Sequence, residues 1–170
     1  MSEPIFDPSY WSDRIAVAKE RNEIHQSVFI CGGPHWEEIE AYQANIIPQY
    51  IQPGETVLDV GCGFGRMAKL ITPGNYLGID LCPGMIEIAE QTYPHHHFLE
   101  ADIHSLDLPT HGFDWGLVAS VRRMVIRYKG AVVWNHIQKE LLRVCHRLLV
   151  IEYNEAHEDI NTSEILVIDH

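Results

Sequence analysis

Residues 57 to 66 read VLDVGCGFGR. Val57 to Val60 form a short run of strand type that carries one acid, Asp59, and leads straight into glycines at positions 61, 63 and 65. A strand that ends in glycines loses side-chain packing and gains backbone freedom at one point, because glycine adopts positive φ without a steric cost. The pattern suits a ligand that approaches the backbone too closely to leave room for side chains. A helix is expected after the glycines, and its first turn offers free N–H groups.

Outward from this stretch, helices and strands alternate. On the N-terminal side, Trp36, Ile39, Gln43, Ile46, Ile47 and Tyr50 fall at three- and four-residue spacing, which predicts a helix over 35–50 ended by Pro53-Gly54. A weaker helix is expected over 12–28 with Ser12 as its N-cap, and the run CGGP at 31–34 reads as a break. On the C-terminal side, Ala68 to Ile71 sit in a helix that Pro73-Gly74 terminates. Strands are expected at 76–80, 97–100, 113–120, 148–152 and 165–168, with helices at 84–91 and 131–147. Strands apolar on both faces, alternating with helices, imply a parallel sheet covered on both sides. The fold class is therefore α/β: a three-layer αβα sandwich around a doubly wound, mostly parallel sheet. The 170 residues are read as one domain over 1–170, with an N-terminal helical cap and first core helix over 1–52 and the sheet core over 53–170.

In such sheets ligands bind beyond the carboxyl ends of the strands. Asp80 ends the second strand, 19 residues after Gly61, the spacing expected for an acid that accepts bonds from ribose hydroxyls. Asp102 follows the third strand, and Ser120, Arg122 and Arg123 follow the fourth. Glycines and then an acid fit any adenosine cofactor. A dinucleotide motif would place its third glycine at position 66, where this chain has Arg66. Asp59, two residues before the glycines, favours a cationic ligand and opposes a pyrophosphate. Each residue also has a structural reading: turn glycines, helix caps at Asp80 and Asp102, an ion pair at Asp59.

VLDVGCGFGR resembles the first motif of the class I, Rossmann-like S-adenosylmethionine-dependent methyltransferases. YLGID at 76–80 with LCPGMIEIA after it, FLEAD at 98–102 and FDWGLVAS at 113–120 are similar to their second, third and fourth motifs. The resemblance runs in order over residues 36–152 and implies S-adenosyl-L-methionine as cofactor. It implies that Gly61, Gly63 and Gly65, with Cys62 among them, admit the methionine part and that Asp59 orients its ammonium end. It implies Asp80 on the ribose, Asp102 on the adenine amino group, and Ile103 and Leu81 against the adenine ring. An aromatic N-terminal segment, Tyr10 and Trp11, would close over the cofactor, against the alternative of core packing. Arg122 and Arg123 would border the acceptor pocket and bind an anionic group there, or else pair with surface acids. The family core closes with two further strands; only 18 residues follow Glu152, so the C-terminal end is expected to be shortened. Some acceptor-binding surface would then be missing or be supplied by a second copy in a homodimer.

Charge narrows the acceptor. Twenty-four acids against twelve Lys and Arg give −12, which disfavours a nucleic acid. The expected activity is metal-free, in-line methyl transfer to O or N of a small-molecule acceptor. The rivals are a non-catalytic module that holds S-adenosylmethionine or its product, and a nucleic-acid or protein methyltransferase. His35, Tyr10, Asp114 and His104 are poor candidates for proton handling, and the sequence does not single out a base. Seven of the bases lie in 122–147, and among them Lys139, Arg143 and Arg147 are expected to form a solvated stripe facing the acidic C-terminal segment. His95, His96 and His97 are consecutive, so a strand would point them to alternate faces; a solvated loop is expected, and no metal. Cys31, Cys62, Cys82 and Cys145 form no Cys-x-x-Cys pair and are expected to be reduced. The N-terminus lacks a secretory signal and no apolar run reaches membrane length, so a cytoplasmic location is expected.

Overall fold

The computed structural model describes residues 8–21, 36–152 and 164–169. Helix α1 spans Pro8–Arg21 and α2 Trp36–Tyr50. Strand β1, Val57–Val60, is followed by two single 3-10 turns, Ala68–Leu70 and Pro73–Asn75, and then by β2, Tyr76–Asp80. Next come α3 (Pro83–Thr92), β3 (His97–Glu100), β4 (Phe113–Ala119), α4 (Arg122–Lys129), α5 (Ala131–Val144), β5 (Cys145–Glu152) and β6 (Glu164–Asp169).

The six strands form one sheet in the order β3-β2-β1-β4-β5-β6. Neighbours from β3 through β5 are parallel, and β6 runs antiparallel to β5. Val57 of β1 lies opposite Tyr76 of β2 on one side and Trp115 of β4 on the other. Chain connections leave β1 and β4 in opposite directions, which opens a crevice at their carboxyl ends.

Alternation along each strand divides the core. Val57, Trp115, Leu117, Leu149 and Ile151 pack with Ile47 of α2 on one face. Leu58, Val60, Val118, Leu148 and Val150 meet Trp134, Ile137, Leu141 and Val144 of α5 on the other. Each of these side chains is almost fully buried, a contribution of roughly 1.5–3 kcal/mol apiece. A separate small cluster joins Ile15 and Ala18 of α1 to Cys82, Met85 and Ile88 near α3.

Several expectations are corrected. Helix α1 begins at Pro8, four residues ahead of Ser12, because proline fits the first helical turn. Residues 22–28, the CGGP run and His35 lie outside the described residues. The helix expected at 68–71 is only a 3-10 turn, since Pro73 removes a donor before the segment can lengthen. Residues 145–147 belong to β5 rather than to the preceding helix: Cys145 is already extended, at φ −115° and ψ 148°. Arg122 and Arg123, expected to follow the fourth strand, open an additional helix, α4. Strand β3 is largely exposed, as an edge strand with one free face. The basic stripe is solvated at Lys139, while its two arginines, partly exposed, also take partners. The Arg147 guanidinium stacks on the Trp115 ring at 4.1 Å and bonds Glu55 at 2.7 Å, while Arg143 donates to Glu140 and to the carbonyls of Leu106 and Leu108. The segment 153–163 lies outside the described residues. Of the three histidines, His95 and His97 are exposed, and His96 turns inward, edge-on to Tyr76.

Candidate functional site

A cavity of about 190 Å³ opens at the carboxyl ends of β1, β2 and β4. Its floor is the loop after β1. Gly61 and Gly63 take φ of +67° and +55°, the left-handed region that side chains avoid. A Cβ at Gly63 would meet nothing within 4 Å, so this backbone faces open space in the cavity wall. A Cβ at Gly61 would strike Val121 at 2.7 Å, which shows how tightly that loop abuts the end of β4.

Three acids from three strand ends reach the cavity: Asp59, Asp80 and Asp102. Asp59 is 2% exposed, and its Oδ2 accepts the Tyr76 hydroxyl at 2.7 Å. Burial pushes its pKa up to about 6, against the opposing pull of the Tyr76 bond and the Arg66 charge. Asp80 is half-buried and accepts backbone N–H groups from Gly63 and Cys82, both at 2.9 Å. It thereby ties the glycine loop to the start of α3; burial outweighs these bonds and raises its pKa. Asp102 is more exposed and accepts both the backbone N–H and the ring Nδ1 of His104. Burial works to raise its pKa, and the His104 bonds prevail and lower it.

The opposite wall is apolar. Val121, Met124 and Val125 come from α4 and its approach, Phe64 from the glycine loop, and Met85 from α3. Trp11 of α1 closes one side; Tyr10 does not reach the cavity but stacks edge-on against Trp11 at 5.4 Å, with Arg14 donating to its hydroxyl. Behind the floor runs a buried polar chain. Arg66 Nη2 donates to Gln43 Oε1 at 2.7 Å, and Gln43 Nε2 donates to Ser120 Oγ at 3.0 Å.

A family described as "Methyltransferase domain" matches residues 57–150, more than half of the chain. The chain belongs to this family. It is a class I, Rossmann-like methyltransferase domain, and its cofactor is S-adenosylmethionine. The malonyl-[acyl-carrier protein] O-methyltransferase of Serratia marcescens is 38% identical over 64 residues, 36% of this chain and 25% of that protein. The tRNA (carboxymethyluridine(34)-5-O)-methyltransferase of Saccharomyces cerevisiae is 28% identical over 131 residues, 74% of this chain and 46% of that protein. The fold is also that of a TehB-like SAM-dependent methyltransferase from Corynebacterium glutamicum, at TM-score 0.58 and 19% identity, over 82% of this chain and 72% of that one. These two curated relatives are matched over less than half of their own length.

The cavity of the methyltransferase domain fits the cofactor on its own geometry. Gly63 leaves side-chain-free space beside three carboxylates. The Asp80 carboxylate is held by backbone N–H groups of Gly63 and Cys82, one on each oxygen, and of Leu81, and it keeps acceptor capacity for a ligand hydroxyl. Cys62, Leu81 and Ile103 also line the cavity. Gly65 does not: a Cβ there would hit the Phe98 ring at 2.9 Å, so this glycine makes room for packing. Arg122 and Arg123 are not on the wall either. Arg122 pairs with Glu164 at 3.0 Å, and the backbone N–H of Arg123 donates to Glu152. The sequence reading missed Phe64, Arg66, Met67, Met85, His104, Ala119 and the α4 residues of the wall. Phe64, Arg66, Met85 and Ala119 sat inside quoted motifs, and His104 stood among the candidate proton carriers; the others carried no chemical signal. Among the described residues no group of three or more His, Cys, Asp or Glu is placed to hold a metal ion. No described helix is long and apolar enough to cross a membrane.

Proposed function

We propose that this chain transfers a methyl group from S-adenosylmethionine to an oxygen or nitrogen of a small-molecule acceptor. The observation that carries the reading is the convergence of Asp59, Asp80 and Asp102 on one cavity beside the open face of Gly63. When bound, the cofactor supplies a methyl on a sulfonium, whose departing sulfide is neutral. The protein therefore has to align the nucleophile more than activate the leaving group. Asp80 accepts from the ribose hydroxyls, Asp102 from the adenine amino group, and Asp59 from the ammonium end. Leu81 and Ile103 pack on the base. Val121, Met124, Val125 and Phe64 exclude water from the methyl side, and Trp11 shields the cavity from above α1. Arg122 and Arg123 begin α4, off the cavity wall. An anionic acceptor would draw Arg122 away from its exposed partner Glu164.

A small acceptor is favoured by the net charge of −12 and by the apolar methyl-side wall. One observation favours a second reading, an RNA acceptor: the yeast relative that spans most of this chain acts on tRNA. Calorimetry with S-adenosylhomocysteine tests the cofactor contacts. Asp80→Ala is expected to weaken binding by about two orders of magnitude, two bonds to a charged group being lost. A loss below about threefold would remove Asp80 from the ribose. Turnover with small carboxylates, alcohols and amines, set against bulk tRNA at graded salt, separates the acceptors. Methylation of tRNA with a steep salt dependence would replace the first reading by the second.

A further inference from the structure

The contacts assigned above leave one part of the cavity wall unused. Arg66 follows the glycine loop and is 7% exposed. Gln43, a polar residue on the core-facing side of α2, is 0% exposed and does not itself reach the cavity. Arg66 and Ser120, which Gln43 joins, both do. A guanidinium has donors only, so it holds the Gln43 amide oxygen toward itself and turns the amide nitrogen to Ser120. Ser120 Oγ must then accept, which leaves its own O–H to be given elsewhere. The cation at one end thus sets the polarity of the chain, and both ends that meet the cavity are donors. Ser120 is held in the left-handed region at φ +63°, a conformation a side chain adopts at a cost and keeps only where its surroundings fix it.

Asp59 faces the same cavity with the opposite sign. An acceptor carboxylate and a donor pair in one cavity match an α-amino acid head group, with the ammonium on Asp59 and the carboxylate on the donors. We propose that Arg66 and Ser120, oriented by the buried Gln43, form the subsite for the carboxylate of the cofactor's methionyl part. Arg66 and Ser120 contact the ligand, and Gln43 is a positioning residue. The inference rests on the cofactor reading above and adds to it the residues that tell the amino-acid end from the nucleoside end. It also joins that end of the cofactor to the tip of β4 through Ser120.

The test is a comparison of two ligands by calorimetry on the full chain. S-adenosylhomocysteine carries the amino-acid end, and 5′-methylthioadenosine lacks it. Arg66→Gln is expected to weaken the first by about ten- to a hundredfold and the second by less than about threefold. Arg66→Lys, which keeps the charge, is expected to recover part of the loss. Gln43→Glu keeps an acceptor for Arg66 but turns an acceptor toward Ser120, and is expected to reproduce the selective loss; it carries the comparison if Arg66→Gln does not fold. Equal losses on both ligands, or none on the first, overturn the proposal and leave Arg66 a structural cation. If the unsubstituted protein binds neither ligand, the cofactor reading falls and this inference falls with it.

Discussion

On the β1–β2–β3 side the polar part of the cavity wall is backbone and carboxylate, fastened by short hydrogen bonds: Gly63 and Cys82 to Asp80, Tyr76 to Asp59, His104 to Asp102. On the β4–β5 side it is aliphatic and sulfur surface from α4, and that helix is fastened from behind. Glu152, at the end of β5, is 2% exposed and accepts the backbone N–H of Arg123 in the first turn of α4. The first wall is fixed in place by directional bonds made at strand ends. The second depends on how one short helix is held against the sheet. A wall of the first kind suits a ligand that never varies, and one of the second kind can change its acceptor by changing a few apolar side chains without disturbing the first.

Gly63→Val would break the first wall most severely. It places a β-branched side chain in the open cavity at positive φ. Affinity for S-adenosylhomocysteine is expected to fall by at least about a hundredfold, against a stability cost on the order of 1–2 kcal/mol. Calorimetry together with urea unfolding separates the two effects.

Glu152 tests the second wall. Burial raises its pKa to about 7, against the bonds from the start of α4. Between its ordinary value and about 7 the folded protein binds a proton at Glu152 that the unfolded chain has released. Its contribution to stability is therefore greatest at low pH and declines as pH rises through that window, by on the order of 2–3 kcal/mol. Urea unfolding of the parent and of Glu152→Gln from pH 5 to 8 should show the difference between them change with that sign. A pH-independent difference would mean that Glu152 is ionised throughout.

Asp59 sharpens the contrast from the first side. With its pKa raised to about 6, it is largely neutral at pH 5 and ionised at pH 7. Binding of the ammonium end needs the ionised form, so affinity is expected to rise by about tenfold from pH 5 to 7. Asp59→Asn is expected to flatten that profile, measured by calorimetry. The smallest effect is expected at Met124→Ala, which touches only the second wall: S-adenosylhomocysteine affinity should change less than about threefold, one apolar contact being trimmed. Acceptor KM should shift instead, and kinetics with a working acceptor would read it. A large loss of cofactor affinity here would show that the two walls are not separable.

The strands of the core were legible because Val57–Val60, Tyr76–Asp80 and Phe113–Ala119 are apolar runs ended by a glycine, an acid or a serine. Asp59, Asp80 and the glycines were legible for the same reason: ligand chemistry at a strand end needs particular residue types at particular spacing. Helix α4 was not. Its residues, RRMVIRYK, repeat with a helical period but over only eight positions, four of them charged, and bury only Val125 fully, so the segment did not stand out as a helix. Arg147 read as a solvated base because nothing nearby in sequence announced the Trp115 ring beneath it, which the β4–β5 register supplies.

By itself the sequence determined the alternation of strands and helices and the order of the motifs, since both follow from local periodicity and from residues next to one another in the chain. The tertiary structure alone decided that Gly65 serves packing while Gly63 faces the cavity, and that Gln43 of α2 bridges Arg66 and Ser120 across intervals of 23 and 77 residues. Hydrogen bonds and close approaches between distant segments are fixed by how the sheet and its helices pack, and no local pattern records them.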